Sequence, residues 1–236
     1  MHKLLKLQLR NIFHNKLFYV CLIITLLTEP ILDFAMNFKA KAAIKVLPQV
    51  VSFLSSEVGI ISMIFVVLYC CFDFNEGTIK NIIARGYTRK QYLFTKYIAS
   101  LIGLLVMYII TIIVTAILFI KNGLGFENIM IYQIINSAAG IIAYTVLYAT
   151  ISIILEKNGS AIIACLFGPN IIPLVLSVID TNFKLKLVDF WIDSASTKFT
   201  EKPTFNNLTY SILYYAIYTV IFIIIGNQLF KNKEIK

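Results

Sequence analysis

The chain is 236 residues long, 59% hydrophobic and only 14% charged, with a mean hydropathy of +0.82 and a formal net charge of +9. Soluble domains carry about 25% charged residues, so this chain has too few to cover a water-facing surface. Segments of about ten residues with alternating polarity, the mark of a membrane β-barrel, are missing.

Residues 3–16 predict an interfacial helix. Leu5, Leu9, Ile12 and Phe13 share one face, and Lys3, Lys6, Arg10 and His14 share the opposite one. Such a helix suits the headgroup layer, its cations toward anionic lipid. Six apolar segments follow, at about 17–36, 50–72, 98–120, 129–155, 161–180 and 208–230, each long enough for a hydrocarbon core of about 30 Å. The expected fold is all-α: one polytopic membrane domain over 1–236 with six transmembrane helices.

Three acidic residues fall within these spans: Glu29 and Asp33, one helical turn apart in the first, and Glu57 in the second. A charge at the bilayer centre costs about 2.5–3.5 kcal/mol on insertion scales, so acids inside spans are candidates for a polar path. With Asn170 in the fifth span they form the expected substrate-path set. Cys21, Cys70, Cys71 and Cys165 all lie in predicted spans, and both histidines lie in the first 14 residues. That pattern fits buried thiols rather than a metal site.

The polar segment 73–96 between spans two and three is densely punctuated. Asp73 and Glu76 have capping-box spacing, which predicts a helix start there. Ile79, Ile82 and Ile83 share one side of that helix, whereas Lys80, Asn81 and Arg85 face elsewhere. Gly86 suits a left-handed helix end, and Thr88 with Gln91 repeats the capping pattern before the next helix. A cytoplasmic helix with a cationic tip is expected.

Gly168-Pro169-Asn170 and Pro173 predict a kink or break in span five. In the connection 181–207, Val188, Phe190, Trp191 and Ile192 between Asp189 and Asp193 suggest a short interfacial or re-entrant helix.

The six spans place 13 of the 21 basic residues on one side, with only Asp73, Glu76, Glu156 and Glu234 among the acidic ones. By the positive-inside rule that side is cytoplasmic and holds both termini. The excess charge is thus a topology signal and not a nucleic-acid footprint. No phosphate-binding G-x-x-x-x-G-K-[ST], H-E-x-x-H or G-x-S-x-G sequence occurs. The expected protein is a non-enzyme without catalytic residues, metal or cofactor of its own.

The 73–96 segment resembles the cytoplasmic connection between spans two and three of ABC-2 type permeases, the membrane subunits of a class of ABC exporters. The matching residues are Glu76, Gly77, Thr78 and Ile79, then Gly86, Thr88 and Arg89, then Lys96. The resemblance implies a half-transporter in a bacterial cytoplasmic membrane. It would pair with itself or a sister permease and bind two copies of a separate ATPase that carries the ATP and Mg. It further implies a coupling helix seated in an ATPase groove. Glu76, Ile79, Lys80, Ile82, Ile83, Arg85, Arg89 and Lys90 are the residues to make that contact.

Permeases of this size resemble bacteriocin-immunity and amphipathic-peptide exporters, and Glu29, Asp33 and Glu57 would favour a cationic peptide. Two other readings compete. A vitamin-importer substrate-binding subunit would need a polar constellation that the aliphatic spans do not offer. An ion-coupled transporter or channel would usually show inverted repeats, and none is found.

Overall fold

The computed structural model describes residues 2–37, 47–121, 128–183, 185–231 and 233. Side chains at 28–58, 118, 119, 128 and 195 are outside that description. The described residues form helices α1 (His2–His14), α2 (Lys16–Asn37), α3 (Leu47–Asn75), α4 (Thr78–Ala84), α5 (Arg89–Lys121), α6 (Asn128–Leu155) and α7 (Asn158–Phe183). A one-turn 3₁₀ helix (Val188–Phe190), α8 (Ser194–Glu201) and α9 (Phe205–Lys231) complete the chain.

Four of these helices, α5, α6, α7 and α9, are long and apolar enough to cross a membrane. The pair α3–α4, bent by 67°, makes a fifth, and Lys16–Leu27 of α2 counts as a shorter apolar helix. The all-α membrane architecture of four to five spans therefore holds among the described residues. Surface composition agrees. Half of the apolar window of α6 is buried, whereas that of α7 is almost wholly exposed, with Ile163, Phe167, Leu174 and Val178 outward. An apolar face of that extent is suited to lipid or to another membrane helix and not to water.

α6 is the centre of the bundle, packed between α3 and α9. Small residues let it approach its neighbours. Gly140 lies 3.3 Å from the Tyr215 ring when given a Cβ, and Gly226 of α9 has only 2.2 Å between such a Cβ and the Tyr97 hydroxyl. That hydroxyl bonds Thr150 Oγ1 at 2.7 Å, tying α5 to α6.

Three local expectations are corrected. First, no helix starts at Asp73. α3 continues through Asn75, Gly77 turns the chain at φ +64°, and α4 begins at Thr78. The Asp73 carboxylate is engaged by a buried lysine and is not capping a helix. Second, of the kink or break expected at Pro169 and Pro173, the break is absent, because α7 is one continuous helix. Prolines persist in spans where neighbouring protein accommodates the ring, and Pro169 is buried. Third, α1 packs against α5, and its inward stripe is Leu4, Gln8 and Ile12, with Leu5, Leu9 and Phe13 half-buried beside it. Lys3, Lys6, Arg10 and His14 stay exposed as expected.

The capping pair Thr88–Gln91 forms in both directions, at 3.0 and 3.2 Å, and Gly86 has φ +87°. In the 181–207 connection, the residues expected to form a short helix give a single 3₁₀ turn, Val188–Phe190, and α8 follows from Ser194.

Replacing Gly226 by Ala must displace the Tyr97 ring from Thr150. We expect a loss of about 1–3 kcal/mol, typical of overpacking, read as a lower melting temperature in detergent. Gly159→Ala, where a Cβ meets nothing within 4 Å, should leave melting unchanged.

Candidate functional site

The polar turn between α3 and α5 is held from beneath by one carboxylate. Asp73 is 3% exposed, and its Oδ2 receives Lys96 Nζ at 3.0 Å, Tyr92 Oη at 3.0 Å and Gln8 Nε2 at 3.3 Å. Its Oδ1 receives Thr78 Oγ1 at 3.1 Å. Lys96 Nζ also donates to the Tyr69 carbonyl at 3.1 Å and sits 3.7 Å from the Tyr69 ring centre. The Tyr69 hydroxyl donates to Gln8 Oε1 at 2.7 Å. The cluster joins α1, α3, α4 and α5, and it satisfies both charges, as a buried pair requires.

This latch sets which face of α4 is available. Ile79 and Ile82 are buried in the chain's own core and Ile83 is half-buried against it. The apolar stripe expected to enter a partner's groove is thus occupied within the chain. Arg89 is also engaged, with Nη1 donating to the carbonyls of Phe230 (3.3 Å) and Lys231 (2.9 Å) at the end of α9. There its charge meets the negative end of the helix dipole. Lys233 does the same for α6, bonding the carbonyls of Ile153 and Ile154 and pairing with Glu156 at 2.9 Å. Of the predicted contact residues, Glu76, Lys80, Arg85 and Lys90 are exposed.

A second feature lies between α3, α6, α7, α8 and α9: a cavity of about 540 Å³. α6 lines it with one helical stripe that includes Gln133, Asn136, Gly140, Tyr144 and Tyr148. The connection 188–201 folds down against that stripe. Asp193 Oδ1 accepts from Tyr144 Oη at 2.5 Å. Asn136 donates to Ser196 Oγ at 3.1 Å and accepts from Ser211 Oγ at 2.6 Å, while Ile192 is fully buried near Ala143 and Tyr215. Tyr144 is eleven residues before Leu155, or about 16 Å from that end of α6 at 1.5 Å per residue. The connection therefore reaches well into the bundle.

Of the expected path residues, Asn170 lines the cavity, with Nδ2 on the Leu166 carbonyl at 2.7 Å. The side chains of Glu29, Asp33 and Glu57 lie outside the described residues. Asp193, Tyr144 and Asn136 were not anticipated. The available signal was the i, i+3, i+4 recurrence of polar and small residues along α6 in an otherwise aliphatic span.

Two substitutions test these arrangements. Asp73→Asn strands the Lys96 charge in the core and should cost about 3–5 kcal/mol, seen as a sharp drop in melting temperature. Asp73→Leu combined with Lys96→Met should recover much of that loss. At Asp193, burial pushes the carboxyl above its ordinary range, with the Tyr144 hydroxyl pulling the other way. The folded chain therefore binds this proton more tightly than the unfolded chain does, and the stability that gives, complete below the ordinary carboxylate pKa, is lost as pH rises through the folded value. Asp193→Asn keeps an acceptor for Tyr144 and removes the charge. It should melt at or above the native temperature at pH 7, and the difference should close toward about pH 4.

No curated protein matches the sequence. A family model described as "Protein of unknown function (DUF2705)" matches residues 17–236, which takes in every helix after α1, the polar turn and the cavity. The chain belongs to the DUF2705 family.

Proposed function

We propose that this chain is the membrane-spanning permease subunit of an ATP-driven ABC exporter, with six spans and both termini in the cytoplasm. In this reading α2 supplies the first span and α3 with α4 the second. ATP hydrolysis takes place on a separate ATPase, bound in two copies, and a second permease copy or a sister permease completes the complex. The exported substrate is an amphipathic compound, an antimicrobial peptide being the leading class.

The observation that carries the proposal is the construction of the α4 turn. A short helix bent by 67° from α3 is fixed from below by Ile79, Ile82 and the Asp73–Lys96 pair. It presents Lys80, Arg85 and Lys90 outward. A motion imposed on those cations by an acidic partner surface would reach α3 and α5 as a rigid displacement, since both helices share the latch. This changes the coupling contact from the one the sequence resemblance implied. The exposed charges engage the ATPase, while the isoleucines anchor the turn to its own bundle.

Purification of the tagged chain from its host in mild detergent provides the test. A soluble P-loop ATPase should accompany it at near-equal stoichiometry. That partner should be lost in Lys80→Glu/Arg85→Glu, whose exposed side chains can change without disturbing the core. A preparation free of any ATPase would overturn the reading.

A further inference from the structure

The cavity between α6 and the inward-folded connection has an uneven polar inventory. Asn136 is committed on both ends, to Ser196 and Ser211. Gln133 Oε1 is buried at the cavity with no hydrogen-bond partner among the described residues, and the Trp191 indole N–H, outside the lining, is likewise buried and unpartnered. Asp193 has a hydroxyl partner in Tyr144 and no cation within salt-bridge distance among the described residues. Of the other polar linings, Ser62, Asn170 and Thr200 already donate to backbone carbonyls, and the rings of Tyr144 and Tyr148 have centroids 5.7 Å apart. Within the lining, Gln133 Oε1 can still accept a hydrogen bond and Asp193 can still accept a positive charge. A buried carbonyl and a half-buried carboxylate without a counter-charge are costly to maintain empty, and tyrosine faces attract cations.

Ile60, Met63, Ile141, Leu166, Pro169 and Phe199 supply the apolar part of the lining. Ile60 and Leu166, at the margin of the cavity, are exposed on α3 and α7, on faces suited to the bilayer interior. The volume lies within the range of about 300–1,000 Å³ typical of small-ligand sites. Asp193 brings a single carboxylate to the cavity among the described residues, and the tyrosine and apolar faces around it suit an organic cation.

We propose that this cavity binds an alkylammonium group, its charge on Asp193, an N–H on Gln133 Oε1, its carbons against Tyr144 and Tyr148, and its tail leaving between α3 and α7. A lysine side chain of an amphipathic peptide and a free alkylamine share that chemistry. As a substrate class the inference rests on the permease reading. As a binding site it is measured on the chain alone, so a missing ATPase and a missing ligand give separate results.

Trp191 is the chain's one tryptophan and neighbours Asp193, so its fluorescence reports on the site. In nanodiscs, octylammonium should give a saturable change, while octanol and octanoate should give only the non-saturating change of membrane partitioning. Asp193→Asn should weaken octylammonium binding at least tenfold, and Asp189→Asn, an exposed acid on the same connection, should leave it unchanged. Competition by a leucine–lysine peptide but not by its leucine–glutamate counterpart would assign the ammonium to a peptide. Failure of the leucine–lysine peptide to compete would assign it to a small amine. Equal saturation by octanol, or equal weakening by Asp189→Asn and Asp193→Asn, would overturn the proposal.

Discussion

The structure depends on one ion pair placed where water cannot reach it. Asp73 and Lys96 meet at 3.0 Å with side chains that are 4% and 1% exposed. A buried pair contributes little net stability against an apolar replacement, because desolvation offsets the attraction. What it does supply is register. In this arrangement of α1, α3, α4 and α5, Gln8, Tyr69, Thr78, Tyr92 and Lys96 together meet the demands of the two charges. Aliphatic helices slide past one another at low cost, whereas a misregistered buried charge is expensive.

The same logic recurs at this end of the bundle. Arg89 and Lys233 each close the carbonyl end of a long helix, and Asn75 bonds Asn158 at 3.1 Å to join α3 to the start of α7. Together they make a stiff polar plate from which α4 projects. At the opposite end the connection 188–201 turns inward along α6, and the polar contacts there surround a cavity. One end is built to be rigid and exposed, and the other to enclose a space.

Much of this was legible. The six apolar segments match the observed helices to within a few residues except at the start of α5, which begins at Arg89 as the Thr88–Gln91 capping pair implied. Gly86 took the left-handed conformation expected of it. The readings that changed share a cause. Asp73 and Glu76 have capping spacing, but spacing cannot reveal that a lysine 23 residues later claims the carboxylate. Ile79 and Ile82 form an apolar stripe, but a stripe does not say whether its partner is another protein or the chain itself. The prolines of α7 have the chemistry of a break, yet the helix continues through both, with Pro169 buried and Pro173 half-buried.

The sequence by itself determined the class of the protein and the course of its helices, because hydrophobic length, glycine turns and capping pairs act over a few residues. Only the tertiary structure decided which charges are free. Lys96, Arg89 and Lys233 look in sequence like the exposed cations Lys80, Arg85 and Lys90, and nothing local separates the two groups. Their difference comes from helices far apart in the chain that bring a carboxylate or a row of carbonyls to the first group and water to the second. The cavity has the same origin. Asp193 and Tyr144 are 49 residues apart, and only the inward fold of the connection makes them one site.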